Sequence, residues 1–234
     1  EIYDKCKVFM RVIDDFIQGR DNNYNVIRFF AALAVIYSHS FPLTGTGGDP
    51  SIVPGESYGG FGVSVFFILS GFLVARSWDN NPRFFSFMLA RGLRIYPALA
   101  VALALSIFVL WGLFGTGNLE DYLSNVITID YFVKNMQMLP NEVRYNLPGI
   151  FESNPLKGAV NGSLWTLPWE LWMYVAIAGC GLLGFFRAPK LFALCCVGLI
   201  AANVWNQWTH TYTDYYPYYF LKLSSLFFSG VFAI

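Results

Sequence analysis

The charged side chains of this chain are spaced so that long stretches pass without one. Asp, Glu, Lys and Arg are all absent from Phe29 to Gly48, from Ser57 to Ala75, from Ile95 to Leu119 and from Leu191 to Thr213. About 20 mostly apolar residues are what an α-helix needs to cross a hydrocarbon core, where only structures that satisfy their own backbone hydrogen bonds survive. Each of the four intervals therefore reads as a membrane span. A further span runs from about Leu164 to Phe186 with Glu170 near its start, and a last one from about Tyr218 onward carries Lys222 and is unfinished at Ile234. The expected fold is all-α, a polytopic transmembrane helical bundle of about six helices.

Composition supports this solvent. Of the 234 residues 56% are apolar and 13% charged, against roughly 25% charged in an ordinary soluble domain. Fifteen basic residues cancel fifteen acidic ones, which leaves no basic excess to attract nucleic acid and no acidic run to solvate a disordered tail. The four cysteines are scattered, Cys195 and Cys196 being adjacent, a pattern that fits neither a disulfide framework nor a CxxC-type metal site. Neither redox chemistry nor a metal is expected. Glu1 at the start and an apolar run still in progress at Ile234 give the expectation of an incomplete chain.

Orientation follows from the Lys and Arg bias of the connecting segments, since positive side chains are retained on the cytoplasmic side. Lys5, Lys7, Arg11 and Arg20 precede the first span; Arg76, Arg83, Arg91 and Arg94 lie around the junction of the second and third; Arg187 and Lys190 join the next pair. The alternate segments are poor in positives, and residues 42–59 contain none. The reading is a multi-pass protein of a bacterial cytoplasmic membrane with a cytoplasmic N-terminus. Residues 1–22 form a separate amphipathic segment, with Val8, Phe9, Val12, Ile13, Phe16 and Ile17 at helical spacing, lying on the inner surface or capping its own protein. The transmembrane domain is residues 23–234.

An ionisable residue inside a membrane helix is expensive and is by default a functional-site hypothesis. Arg28 and His39 are eleven residues apart, close to three helical turns, so they share one face with roughly 16 Å between them along the axis. Pro42 is expected to stop this helix just after His39, leaving the imidazole near the outer mouth of whatever cavity the face lines. A histidine takes and returns a proton at neutral pH, so His39 is the general-base candidate. His210, after Trp205 and Trp208, reads as interfacial. In the second span Gly62, Ser64, Ser70 and Gly71 interrupt large apolar residues, and small residues let helices approach closely. Ser70 is also a conceivable nucleophile. Arg91 and Arg94, at i and i+3, point the same way from the cytoplasmic side and read equally as positive-inside anchors or as an anion clamp suited to the phosphates of a donor such as coenzyme A. In the segment SLWTLPWE, Trp165 stands at the outer end of a span and Glu170 within the edge of the core, where it needs a partner: His39, the acceptor, or Lys222. Asn161 begins an N-x-S triplet just before it.

These stretches together resemble the acyltransferase 3 family of polytopic membrane acyltransferases, from about Tyr24 to Ile234. The resemblance is carried by NVIRFFAALAVIYSHSFPL, GVSVFFILSGFLVARS, RFFSFMLARGLRIYP and NGSLWTLPWELWMY, in that order and spacing. It departs from the usual pattern at Asn25, at Ala90 before Arg91, and at Leu171 after Glu170. The resemblance implies about ten spans, of which about six are present here. It also implies transfer of an acyl group, often acetyl, from cytosolic acyl-CoA to a hydroxyl of an extracytoplasmic carbohydrate or lipid-linked glycan. His39, Arg28 and Glu170 are the expected catalytic set, Arg91 and Arg94 the expected binders of acyl-CoA, and Trp165, Ser70 and Asn161 the expected substrate contacts. Two other readings start from the same residues: a transporter of a small polar or lipid-linked solute, because buried Arg, His and Glu also line transport paths, and an intramembrane hydrolase using Ser70 and His39.

Overall fold

The computed structural model describes residues 23–209 and 214–232; the amphipathic tail and His210 lie outside them. The first helix, α1, is Tyr24–Thr44. Pro42 does not stop it. A proline forfeits one backbone hydrogen bond, and in the last turn few bonds remain to be broken. The helix ends instead at Gly45, whose φ of 72° allows a Schellman closure. The Thr46 amide donates to the Phe41 carbonyl at 3.1 Å and the Gly45 amide to that of Pro42 at 3.4 Å. A Cβ on Gly45 would also stand 2.9 Å from Pro155.

A small antiparallel hairpin follows, β1 (Ser51–Val53) and β2 (Glu56–Ser57). Ser57 then caps α2, Tyr58–Asn80, by accepting from the Gly60 amide at 3.0 Å. Helix α3, Phe84–Phe114, runs for 31 residues and contains Pro97. Two short helices come next, α4 (Leu119–Ser124) and α5 (Val126–Gln137), with Asn118 and Asn125 accepting from the amides two residues on. After an irregular segment, a 3-10 turn, Gly162–Trp165, leads into α6, Thr166–Leu182. Helices α7 (Pro189–Thr209) and α8 (Tyr215–Phe232) complete the described chain.

The protein is an all-α helical bundle in which four described helices, α1, α2, α3 and α7, are long and apolar enough to cross a membrane. Charge spacing predicts six such helices, and the other two are α6 and α8. They are present but have 17 and 18 residues, roughly 26 Å of helix against a core about 30 Å thick. Each also carries an ionisable side chain, Glu170 in one and Lys222 in the other.

Helix α2 is the central post, packing on α1, α6 and α8. Helices in lipid gain nothing from excluding water from one another, so their association relies on close packing. The glycines supply it. A Cβ at Gly71 would overlap the Phe227 carbonyl of α8, and one at Gly230 of α8 would overlap the Ile68 carbonyl of α2. On the α1 side, a Cβ at Gly62 would stand 2.6 Å from the Ala31 carbonyl oxygen. At the far end Gly181 of α6 leaves room for the Trp78 indole. Helix α3 packs on α5 and α6, where Asn161 donates to Ser106 Oγ at 2.7 Å and to the Tyr131 hydroxyl at 2.6 Å.

Gly71→Val is expected to force α2 and α8 apart and to cost about 3 kcal/mol or more, the upper end of overpacking penalties. Gly112→Ala, where a new Cβ meets nothing within 4 Å, is expected to leave stability unchanged or slightly raised. Thermal melting of the detergent-solubilised variants compares the two.

Candidate active site

Two cavities line up along one side of α2. The first, of about 490 Å3, holds His39 from the last turns of α1. It is built where α2 has no side chains to fill the space: Gly59 and Gly60 line it, and a Cβ at Gly59 would stand 3.0 Å from Ser38 Oγ and 3.5 Å from His39 Cε1. His39 Nδ1 faces Asp49 Oδ1 at 3.4 Å, and with side chains 40% and 36% exposed the pair is open to a ligand. Opposite stand Trp165, Tyr215 and Tyr219, the Trp165 and Tyr219 rings with centroids 4.7 Å apart. Lys222 Nζ donates to Glu56 Oε2 at 2.8 Å, tying α8 to the hairpin at the edge of the same cavity. These two side chains are 15% and 27% exposed, so the pair is shielded from most of the solvent.

The second cavity, of about 590 Å3, brings together Arg28 of α1, Ser70 of α2, Arg94 of α3 and Glu170 of α6. Glu170 Oε1 accepts from the Tyr174 hydroxyl in a close contact and from Ser70 Oγ at 3.4 Å. Two guanidinium groups and one carboxylate on the wall make it an anion-favouring site, and the planar arginine fork matches phosphate or carboxylate oxygens. Arg28 Nε is buried with no hydrogen-bond partner among the described residues.

Arg91 and Arg94 diverge although they are three residues apart. Arg94 lines the second cavity, whereas Arg91 donates to Ser77 Oγ at 2.9 Å and lays its guanidinium over the rings of Phe87 and Tyr174, at 5.6 and 5.9 Å. Glu170 is engaged by Ser70 and Tyr174, and Lys222 by Glu56. Ser70 and His39 are not brought together: His39 is level with Gly59, and eleven residues of α2 separate Gly59 from Ser70, roughly 16 Å along the axis. Trp165 enters the His39 cavity, and Asn161 is spent on Ser106 and Tyr131. Among the described residues no group of three His, Cys, Asp or Glu side chains could hold a metal ion.

Asp49 and the Glu56 to Lys222 pair were not legible as site residues. The only signal for Asp49 was an acid ten residues after His39 in a loop otherwise free of charge from residue 42 to residue 55. One residue, Val63, lines both cavities among the described residues.

A family model described as an acyltransferase domain matches residues 21–234. An O-acetyl transferase of Shigella phage Sf6 is 32% identical over 165 residues, which cover 67% of this chain and 44% of that protein. Nodulation protein 10 of Rhizobium leguminosarum bv. viciae is 32% identical over 210 residues, covering 85% of this chain and 54% of that protein. The chain thus spans about half the length of the curated relatives it matches. No solved structure matches it.

Breaking the Lys222 to Glu56 pair from either side leaves a shielded charge without its partner. Lys222→Met and Glu56→Gln are each expected to cost about 1–3 kcal/mol, the range for leaving a buried polar partner unsatisfied. The double variant is expected to cost clearly less than the sum, read from a thermal-melting double-mutant cycle.

Proposed function

The chain belongs to the acyltransferase family whose domain model it matches, and on that premise we propose that it works as a membrane-embedded O-acyltransferase. It moves an acyl group, acetyl first among them, from acyl-CoA on the cytoplasmic side to a hydroxyl of an extracytoplasmic carbohydrate or lipid-linked glycan. The observation that supports this is the division of labour between the cavities, cationic around Arg28 and Arg94 and basic around His39, with Val63 common to both. The name of the phage relative, O-acetyl transferase, favours acetyl as the group moved. The Lys and Arg bias of the connecting segments supports a cytoplasmic Arg28 end, and the membrane in this reading is a bacterial inner membrane.

In this reading Arg28 and Arg94 hold the phosphates of acyl-CoA, and the roughly 16 Å of α1 between Arg28 and His39 is spanned by the donor's flexible arm. Glu170 offsets part of the cationic charge, holds Ser70 and Tyr174, and thereby sets the cavity wall. Arg91 acts as a positioning residue across Ser77, Phe87 and Tyr174. Trp165 offers its ring to the acceptor, and Asn161, through Ser106 and Tyr131, sets where the Leu164 and Trp165 segment stands.

Asp49 accepts from His39 Nδ1–H, which leaves Nε2 free to take the proton of the acceptor hydroxyl. The hydroxyl oxygen attacks the thioester carbonyl, and the tetrahedral adduct collapses. A C–O bond has formed, the C–S bond has broken, and the departing thiolate receives the proton held on His39. No atom is left over, so one histidine serves as base and then as acid.

His39→Ala is expected to lower acyl transfer by about 100-fold or more without weakening acyl-CoA binding, the loss typical of a general base. Asp49→Asn is expected to lower kcat with little change in either KM, because the amide no longer favours the Nδ1–H tautomer of His39, and Asp49→Glu to recover part of it. Both are read with labelled acetyl-CoA in membranes that hold the full-length protein, and undiminished transfer by His39→Ala would contradict the assignment.

The two arginines are expected to separate. Arg94→Ala raises KM for acyl-CoA about 10-fold or more, as befits a lost charge-assisted contact, with its melting temperature kept. Arg91→Ala acts mainly on melting temperature. Equal effects of the two on KM would contradict the division drawn here.

A further inference from the structure

The face of α2 that passes both cavities is continuous. Gly59, Gly60, Val63 and Ser64 line the His39 cavity, and Val63, Phe66, Phe67 and Ser70 line the Arg28 cavity. These are positions three and four apart, one helical stripe. Along it the side chains change from none, at the two glycines, to large aromatics, with Val63 at the change. The facing segment crosses the same boundary, since Leu164 lines the Arg28 cavity and its neighbour Trp165 the His39 cavity. Val63 is partly buried and packs against the apolar core, so its side chain has few other places to go.

From this placement, and resting on the acyltransferase reading above, we infer that Val63 is the threshold over which the acyl thioester passes, and that its side chain sets which acyl groups are transferred. Val63 is the one described residue that lines both cavities, so in this inference a thioester whose CoA phosphates stay at Arg28 and Arg94 reaches His39 past its side chain, which acts as the constriction. The acyl chain is the leading part of the donor and meets that constriction first. An acetyl group adds one methyl beyond the carbonyl; each further methylene must find room beside the valine methyls. One methylene in a tight apolar site is worth about 10- to 200-fold in selectivity, so the volume of this one side chain is enough to decide between neighbouring chain lengths. The close approach of α2 to α1 at Gly62, where a Cβ would stand 2.6 Å from the Ala31 carbonyl oxygen, prevents the helix from yielding sideways.

The test uses the full-length protein in membranes with acetyl-, propionyl- and butyryl-CoA as donors. Val63→Ala is expected to raise the ratio of kcat/KM for butyryl to that for acetyl about 10-fold or more. Val63→Phe is expected to suppress transfer of every acyl group while direct binding of free CoA, held through Arg28 and Arg94, stays within about 2-fold of the parent. Melting temperatures within a few degrees of the parent exclude a folding cause. A second arm needs no catalysis: with the native cysteines replaced, Val63→Cys is expected to react with a small membrane-impermeant thiol reagent added to the His39 side, and acyl-CoA to protect it. An unchanged donor ratio in Val63→Ala alongside active parent enzyme overturns the inference alone. Parent enzyme that transfers no acyl group from any donor overturns the function and the inference with it, even if the labelling arm succeeds.

Discussion

Helices α2 and α8 touch backbone to backbone, and the rest of the arrangement depends on that contact. Gly71 and Gly230 form a reciprocal pair, each leaving space that the other helix's carbonyl occupies. In a bilayer no expelled water rewards looser association, so the absence of two Cβ atoms is what lets dispersion contacts accumulate along the seam. With α8 drawn in on one side and α1 on the other through Gly62, α2 is held so that the face from Gly59 to Ser70 looks toward α6 and the two cavities. That face is the common wall of both cavities.

The polar groups then fall into two sets, separated along α2 rather than pooled. Around Arg28 and Arg94 a single carboxylate, Glu170, is shared with a serine and a tyrosine, so the site keeps an unmet demand for negative charge. Around His39 the acids are Asp49 and Glu56, and Glu56 is answered by Lys222. A buried charge without a partner is costly in either place. The first set carries one guanidinium beyond its single carboxylate, which favours an anion; the second carries one carboxylate, Asp49, beyond its single lysine, and holds it against the His39 imidazole. In the proposed function this asymmetry matches an anionic donor to the Arg28 and Arg94 end and an acceptor hydroxyl to the His39 end.

The helices and the membrane solvent were legible because charge spacing is a one-dimensional property: the gaps around α1, α2, α3 and α7 can be counted directly. Arg28 and His39 on one face followed from helical periodicity alone. Partners were not legible. Glu170 and Ser70 are 100 residues apart and Glu56 and Lys222 166, and nothing local distinguishes Ser70 from Lys222 as the mate of Glu170. The end of α1 was misplaced because Pro42 is a stronger local signal than Gly45, although in a last turn the glycine's left-handed φ decides. The divergence of Arg91 from Arg94 escaped for a related reason, since i and i+3 share a side of a helix but the ring of Tyr174 draws only one of them inward.

In the proposed function, donor and acceptor are handled from opposite ends of the two neighbouring cavities. Proteoliposomes holding the full-length protein in a single known orientation, with labelled acetyl-CoA sealed on one face and acceptor glycan supplied on the other, test it directly. Label is expected in the glycan only when the donor is on the face nearer Arg28 and Arg94 and the acceptor on the face nearer His39. Transfer that requires both substrates on the same face would contradict the account.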